Sequence, residues 1–527
     1  MSLYQSWRER MHVLTRDSRF VFKNSFIIVG IGLVIAILSS HPVRQRSWFE
    51  QVKENYQRLK RTENEPNDLA DLLRMLASKR EEAGLDWFFD SEALTLNDFD
   101  LRALSERHVK TGEQRSIFSD YARALLLLEE GPRKAARLRL WEAAGHSNPP
   151  RYTLEFAGDL WMKEGEDAKA LAAYLSEGAT PDAYRARQRA WMLAVKREDA
   201  NAFRRMLQDG HYRREGNAVQ MFIAARVVGD WKLATRAFLA LEFRVWRHGE
   251  ALLAIFAVSI WYFIMVYAGS NRTRRWTLTS LAVGAGVIST WVIDWAHLVF
   301  DYEHEADGPL GPGQSLIHLI IYVGLPEEIA KLMLFLPFLA VQLRQRDRSE
   351  VALTAGCVGL GFALAENIQY YIQSGATVAL SRMITANFFH MALTGLLGVA
   401  LYDWIRARCH NTDRFVFSLV AIVVVHGLYD FGCDEEFFGE DMGIVSTLLI
   451  ALSARFYFRE WKPEIRQRPR QAFASTAVFA FGCALLASVV LIAAGLNGDR
   501  REVFLTLQRA FALAPVAWIF VQEFREV

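Results

Sequence analysis

Four polar patterns lie within apolar segments of the C-terminal half of this 527-residue chain. They are Glu327-Glu328-x-x-Lys331, Phe362-x-x-x-Glu366-Asn367, a single histidine at His390, and His426-x-x-x-Asp430. An ionisable side chain within a bilayer costs about 3 kcal/mol even on lenient insertion scales, so each pattern is a candidate functional feature. Carboxylates, a lysine and two imidazoles are groups that activate water, bind a metal ion, or do both.

Helical spacing groups these residues further. Lys331 follows Glu327 by four positions and Glu328 by three, so its ammonium can reach either carboxylate. The lysine keeps one carboxylate ionised as a base, and the closeness of the two carboxylates raises the pKa of the other, which can then serve as an acid. His426 and Asp430 are also four positions apart, so the aspartate can orient the imidazole or share a metal ion with it.

The apolar segments that carry these patterns are long enough to cross a bilayer, which takes about 20 residues. We predict ten spans, near residues 25–40, 249–269, 277–300, 315–341, 351–373, 382–405, 415–432, 442–458, 472–495 and 503–521. Arginines and lysines cluster before the first span and after the second, fourth, sixth and eighth. By the positive-inside rule, both termini are expected in the cytoplasm. The first span has no convincing cleavage site, so we expect a retained signal anchor.

The same topology places the polar residues at similar depths. Glu366, His390 and His426 lie roughly 10 Å from the outer ends of their predicted spans, and Glu327 lies somewhat deeper. A common level near the outer leaflet is expected of side chains that share a water-accessible cavity.

Residues 41–247 have a different pattern, that of amphipathic helices joined by short polar turns. Turns begin at Glu130, Glu164, Arg197 and Gly229, at intervals of 34, 33 and 32 residues, and alanines follow each turn. That period resembles degenerate tetratricopeptide repeats, which usually bind peptides or proteins. An unrelated helical bundle is the alternative. The topology predicts that this domain is extracytoplasmic.

Composition excludes several classes of function. A net charge of +2 and the lack of any nucleic-acid motif argue against a nucleic-acid partner. The four cysteines, Cys357, Cys409, Cys433 and Cys483, form no CxxC pair. The sequence therefore predicts neither a disulfide framework nor a cysteine metal site.

The order of the motifs resembles the PrsW family of intramembrane proteases. EExxK, FxxxE, a separate histidine and HxxxD follow one another on successive spans, and the stretches GFALAENIQYY and HGLYDF are also typical of that family. The resemblance covers roughly residues 250–460. The second motif ends in Glu366, where the related CAAX-processing proteases have a histidine, so His390 is expected to supply that role.

The resemblance implies roles for individual residues. Catalysis is assigned to Glu327, Glu328 and Lys331, metal ligation to His390, His426 and Glu366, and a supporting or oxyanion-stabilising role to Asp430 and Asn367. The implied cofactor is zinc, held by two histidines and a carboxylate with one open position. A metal-free mechanism with a glutamate base is the alternative, in which the imidazoles orient water or stabilise the oxyanion.

Together these observations predict an all-α, polytopic protein of the bacterial cytoplasmic (inner) membrane with a soluble helical repeat domain. The expected domains are a signal-anchor region (1–40), the repeat domain (41–247), a protease core (248–460) and additional spans (461–527). The expected function is cleavage of a membrane-protein or peptide substrate near the extracytoplasmic face, with the repeat domain recruiting or gating substrate. The alternatives are an ion- or proton-coupled transporter, and a non-catalytic scaffold or immunity protein.

Overall fold

The computed structural model describes residues 3–41, 48–62, 66–83, 95–96, 99–126, 130–269, 273–300, 311–345, 347–433, 443–465 and 473–525. These residues confirm the all-α prediction. Their only strands, Thr95–Leu96 and Phe99–Asp100, pair in a short antiparallel ladder. The chain divides into two compact units, residues 44–241 and residues 1–43 with 242–527.

The helices are numbered here in chain order. They are α1 (Leu3–Leu14), α2 (Ser18–Ser39), α3 (Trp48–Arg61), α4 (Pro66–Ala83), α5 (Leu101–His108), α6 (Gly112–Leu126), α7 (Glu130–Ala144), α8 (Thr153–Lys163), α9 (Asp167–Gly178), α10 (Tyr184–Arg197), α11 (Ala200–Gln208), α12 (Gly210–Glu215), α13 (Ala218–Val228), α14 (Trp231–Val245), α15 (Gly249–Gly269), α16 (Thr273–Phe300), α17 (Pro312–His318), α18 (Leu325–Gln345), α19 (Arg348–Ser374), α20 (Ala379–Ile384), α21 (Ala386–Arg406), α22 (Thr412–Gly432), α23 (Gly443–Ile465), α24 (Ser475–Asn497), α25 (Arg500–Ala512) and α26 (Ala514–Arg525). A π-helical segment (Leu319–Gly324) joins α17 to α18, and a 3₁₀ turn (Ala376–Val378) precedes α20.

In the unit of residues 44–241, three of the four recurring turns separate consecutive helices. Each contains one residue with a left-handed backbone, Gly165 (φ 77°), Glu198 (φ 47°) or Gly229 (φ 80°), which ends one helix and reverses the chain. At least one alanine after each turn is buried in the following helix, as Ala136, Ala170, Ala202 and Ala234 are. Small buried residues at this interval let neighbouring helices pack closely. Assignment to the tetratricopeptide family stays a prediction.

A buried charge cluster ties α4 to α8 and α9 in this unit. Nε of Arg74 donates to Asp159 at 2.8 Å, and the hydroxyls of Tyr121 and Tyr174 donate to the same carboxylate. Burial alone raises the pKa of Asp159, but Arg74 and the two tyrosines bring that pKa below its ordinary value. The pKa of Glu155 is raised, because burial outweighs its ion pair with Arg74.

In the other unit, seven described segments are long and apolar enough to cross a membrane. They are α2, α15, α16, α19, α20 with α21, α22 and α24, and the bent pair α25–α26 gives an eighth if it is one span. Ten spans were predicted. The other two predicted spans, 315–341 and 442–458, are also largely helical. However, Glu327, Glu328 and Lys331 in α18, and Arg455, Arg459 and Glu460 in α23, give these helices more charge than a typical span, so composition supports seven or eight.

The most enclosed of these spans is α19. Every residue from Val351 to Ala365 is buried. A β-carbon at Gly359 would collide with the backbone carbonyl of His390 on α21, so the two helices approach to backbone contact there. This close packing fixes the position of α21 relative to Glu366, two turns further along α19.

Candidate active site

The π-helical segment Leu319–Gly324 leads directly into the turn that carries Glu327 and Glu328. Single π-helical turns within helices often occur at functional sites, since they displace the side chains that follow. This segment packs against α22 at Gly427, where a β-carbon would lie only 2.5–2.8 Å from atoms of the segment. The contact brings the start of α18 beside His426, the neighbour of Gly427.

Lys331 is the centre of the site. Its Nζ lies 3.1 Å from Oε2 of Glu327, 2.9 Å from Oε1 of Glu328 and 3.1 Å from Nδ1 of His390. An ammonium has three protons, so these three acceptors satisfy it completely. Its Nζ also lies 3.8 Å from the ring centroid of Phe362, a cation–π contact. The lysine thus connects α18 to the motifs of α19 and α21.

The hydrogen bond from Lys331 determines the tautomer of His390. An ammonium only donates, so Nδ1 of His390 accepts this bond and the neutral ring carries its proton on Nε2. Nε2 lies 3.0 Å from Oε2 of Glu366, an acceptor for that proton. Lys331 and Glu366 therefore hold opposite sides of one imidazole.

His426 is held differently. Its Nδ1 lies 2.9 Å from Oε1 of Glu328. Its Nε2 faces two carboxylates at longer range, 3.5 Å from Oε2 of Glu327 and 3.4 Å from Oδ2 of Asp430. With the Nδ1 proton donated to Glu328, Nε2 presents a lone pair toward two carboxylates, an arrangement that suits a cation between them.

Burial separates an inner part of the site from an outer edge. The side chains of Glu328 and Lys331 are fully buried, and that of His426 is 1% exposed. Glu327, Glu366 and Asp430 are 14%, 23% and 28% exposed. The protein thus leaves these three carboxylates partly uncovered at this edge of the site.

Arg382 of α20 is a member of the site that the sequence did not predict. Its Nη2 lies 2.8 Å from Oε2 of Glu366, its Nε donates to Oδ1 of Asn367, and its guanidinium stacks on the ring of Tyr370 at 3.7 Å. Asn367 in turn donates to Asn387 of α21. Arg382 is the first residue of the predicted span 382–405. Its signal was a positive charge at an end predicted to face away from the cytoplasm, contrary to the positive-inside rule.

Seven of the eight predicted site residues lie in one cluster of direct contacts. They are Glu327, Glu328, Lys331, Glu366, His390, His426 and Asp430. Asn367, the eighth, reaches the cluster through Arg382. The sequence predicted that these patterns share a site, and the structure brings them together. The role of each residue stays a prediction.

The donor set fits a metal ion. Among the described residues, Glu327, His390 and His426 can each offer one ligand atom such that all three atoms lie within 4.8 Å of one another. Two imidazoles and a carboxylate form a ligand set that binds zinc with one position open. Glu366, which was predicted as the carboxylate ligand, is outside this set and instead contacts His390 and Arg382.

Comparison with known proteins agrees with this part of the chain. Residues 272–454 match the family model described as PrsW family intramembrane metalloprotease. The match contains every residue of the cluster and Arg382. No curated protein and no solved structure matches the chain.

Proposed function

We propose that this protein hydrolyses a peptide bond of a membrane-protein substrate close to the extracytoplasmic face, because residues 272–454 match the family model described as PrsW family intramembrane metalloprotease. The observation that carries this proposal is the buried contact network of Lys331 with Glu327, Glu328 and His390. Desolvated charges at this density cost several kcal/mol and are expected where chemistry requires them. The protein is proposed to reside in the bacterial cytoplasmic membrane.

Glu327 and Glu328 have different surroundings, so we assign them different roles. Glu328 is fully buried and accepts from Lys331 and from Nδ1 of His426, so it orients this imidazole. Glu327 is partly uncovered, so its carboxylate can meet a water molecule. We assign the water-facing role to Glu327.

Peptide hydrolysis then needs a proton to move twice. Glu327 takes a proton from the water whose oxygen adds to the carbonyl carbon, and returns it to the amide nitrogen as the C–N bond breaks. The products are a carboxylic acid and an amine, which exchange a proton to become a carboxylate and an ammonium. Lys331, with its three contacts, keeps the glutamate and the imidazole of His390 in place through both transfers.

The residues present fit the metal that the family description implies. Glu327, His390 and His426 would hold it, and the nitrogen of His390 that bound it would have to give up its present contact with Lys331 or with Glu366. A bound zinc ion would polarise the carbonyl and lower the pKa of water to about 7. In that state Asp430 and Glu366 are the partly uncovered carboxylates left to accept the water proton. His426 presents Nε2 to the site only while Glu328 holds its Nδ1 proton.

The test is cleavage of a membrane-tethered substrate by the purified protein. Glu327→Gln is expected to abolish cleavage, while Glu502→Gln, an exposed glutamate of the same unit, is expected to leave it unchanged. Full activity of Glu327→Gln would overturn the assignment. A protein without cleavage activity that moves ions across vesicles would support the transporter alternative instead.

We further propose that the unit of residues 44–241 lies outside the cytoplasm and recruits or gates substrates. The basic N-terminal segment and the arginines that follow α15 in the sequence support this orientation. Added protease should digest this unit in spheroplasts, and protection would refute the orientation.

Replacing about residues 60–240 by a flexible linker should preserve cleavage of a short peptide but change which full-length proteins are cut. Unchanged substrate choice would refute recruitment.

A further inference from the structure

A cavity lies at the opposite end of the same helices from the polar cluster. It has a volume of about 510 Å³ and is bounded by α19, α21, α22 and α23. On α21, His390 is near the first residue, whereas Asp403, which lines the cavity, is near the last. At 1.5 Å per residue, about 20 Å of helix separates the two. The cavity is therefore distinct from the proposed active site.

The cavity changes from apolar to polar along two of its walls. On α21 the lining runs from Leu396 through Ala400 to Asp403. On α22, the other arm of the hairpin, it runs from Ile422 to Arg414. Because the two helices run in opposite directions, both polar ends lie at the same end of the cavity. The cavity matches a molecule with a polar head and an apolar tail.

Some charged groups at the polar end of the cavity form ion pairs, and one does not. Nη2 of Arg348 lies 3.0 Å from Oδ2 of Asp403, and its Nη1 contacts Glu460. Within the described part of the chain, the guanidinium of Arg414 makes no hydrogen bond or ion pair. One cation is therefore available to an anionic group, beside a carboxylate, Asp403, whose side chain is 49% exposed.

Aromatic residues surround this polar end. The ring of Trp404 stacks on that of Phe415, with centroids 4.9 Å apart and planes 9° apart. Tryptophan at a helix end is typical of the level where lipid headgroups meet the hydrocarbon. Phe417 and Phe456 also line the cavity and are 75% and 53% exposed, so they offer apolar surface at its rim.

We propose that this cavity binds a phospholipid whose headgroup carries a primary ammonium beside its phosphate. The phosphate accepts hydrogen bonds from Arg414, and the ammonium donates to Asp403. One acyl chain extends past Ala400 to Ile422. A quaternary ammonium has no N–H to donate, and a glycerol headgroup carries no cation to pair with Asp403. The cavity thus favours ethanolamine phospholipids over choline and glycerol phospholipids.

The experiment uses the delipidated full chain in detergent and native mass spectrometry. Ethanolamine, choline and glycerol phospholipids with identical acyl chains are added separately, and retention is measured as a function of concentration. The ethanolamine lipid is expected to bind about tenfold more tightly than the other two, the value of one charge-assisted hydrogen bond. Equal retention of all three lipids would refute the proposal.

Four variants test the location of the site. Arg414→Gln should weaken the binding of all three lipids about tenfold. Arg408→Gln should leave the binding of all three unchanged, because Arg408 is an exposed arginine of the α21–α22 loop outside the cavity. Asp403→Asn should keep binding but remove the preference for ethanolamine. Equal effects of Arg414→Gln and Arg408→Gln in folded protein would place the lipid elsewhere. Glu327→Gln should retain lipid normally, so the outcome does not depend on peptidase activity.

Discussion

The Nζ atom of Lys331 lies 3.1 Å from Nδ1 of His390, a residue 59 positions away in the chain. A lysine that appears in sequence only as the partner of two glutamates is thus also the group that fixes the tautomer of an imidazole. It also lies between Glu327 and Glu328, which face different parts of the site. Removing its charge should affect carboxylates and imidazole together.

We expect Lys331→Met to abolish peptidase activity and to lower stability by about 3–5 kcal/mol. The variant leaves Glu328 ionised, buried and without its cation. The double variant Lys331→Met/Glu328→Gln should recover much of that stability without activity, because the buried charge is gone while His390 still lacks its donor. Thermal unfolding in detergent and substrate cleavage measure the two effects. Equal destabilisation of the single and double variants would contradict the charge argument.

A second prediction separates the two carboxylates that could bind a metal. Metal analysis of purified variants should show strong loss of bound metal for Glu327→Gln, His390→Ala and His426→Ala, since these residues form the three-donor set. Glu366→Gln should retain metal but lower activity about 10–100-fold, because Glu366 contacts His390 at 3.0 Å as an orienting partner.

A chelator should abolish cleavage by the unaltered protein, and zinc should restore it. Loss of metal from Glu366→Gln to the same extent as from Glu327→Gln would favour the ligand set that the sequence predicted.

Arg382 is expected to act by positioning Glu366. Arg382→Gln removes the cation 2.8 Å from that carboxylate and should lower kcat about 10–100-fold with little change in KM. Arg382→Lys should restore part of the activity, since it keeps the charge but loses the stacking on Tyr370. Arg500→Gln, an exposed arginine at the start of α25, is the matched control. A change in KM alone would indicate substrate binding instead.

The site could be predicted from sequence only where local spacing or family motifs fixed it. The i,i+3 and i,i+4 contacts of Lys331 follow from helix geometry. The contact of His426 with Glu328 joins residues 98 positions apart, and only the shared depth and the motif resemblance indicated it. Arg382 was not predicted because arginines are common at span ends, although its position at an outer end departs from the positive-inside rule. The π-helical segment has the same apolar pattern as an α-helix, so periodicity could not reveal it.

Gly427 is expected to be essential for the geometry of α18. A β-carbon at this position would lie 2.5–2.8 Å from Ile320 atoms, so Gly427→Ala must displace the π-helical segment and with it Glu327 and Glu328. We expect a loss of activity of at least about tenfold and destabilisation of about 1–3 kcal/mol. Gly284→Ala on α16, where nothing lies within 4 Å, should be neutral or slightly stabilising. Equal activity of the two variants would show that the π-helical segment can be displaced without loss of activity.

The Asp159 cluster gives the unit of residues 44–241 a defined response to pH. The pKa of Asp159 is lower in the folded chain than its ordinary value. Its stabilisation is therefore fully present above the ordinary pKa and is lost as pH falls through the folded pKa. Glu155 acts in the opposite sense. Its raised pKa means that acidification through this value relieves a cost of burial, so stability first rises and then falls as pH decreases.

Asp159→Asn should destabilise this unit by about 3 kcal/mol at pH 7, because Arg74 loses one of the two buried carboxylates that balance its charge. The variant should also lose the decline in stability at the acid end, so its difference from the unaltered protein shrinks as pH falls below the ordinary pKa of aspartate. Hydrogen exchange of α6, α8 and α9 in the full chain, corrected for the intrinsic pH dependence of exchange, measures this difference. Asp182→Asn, whose side chain is 75% exposed and lies 3.4 Å from Arg151, should change stability by less than about 1 kcal/mol. A difference between Asp159→Asn and the unaltered protein that stays constant through the acid range would show that packing, and not the charge of Asp159, supports the cluster.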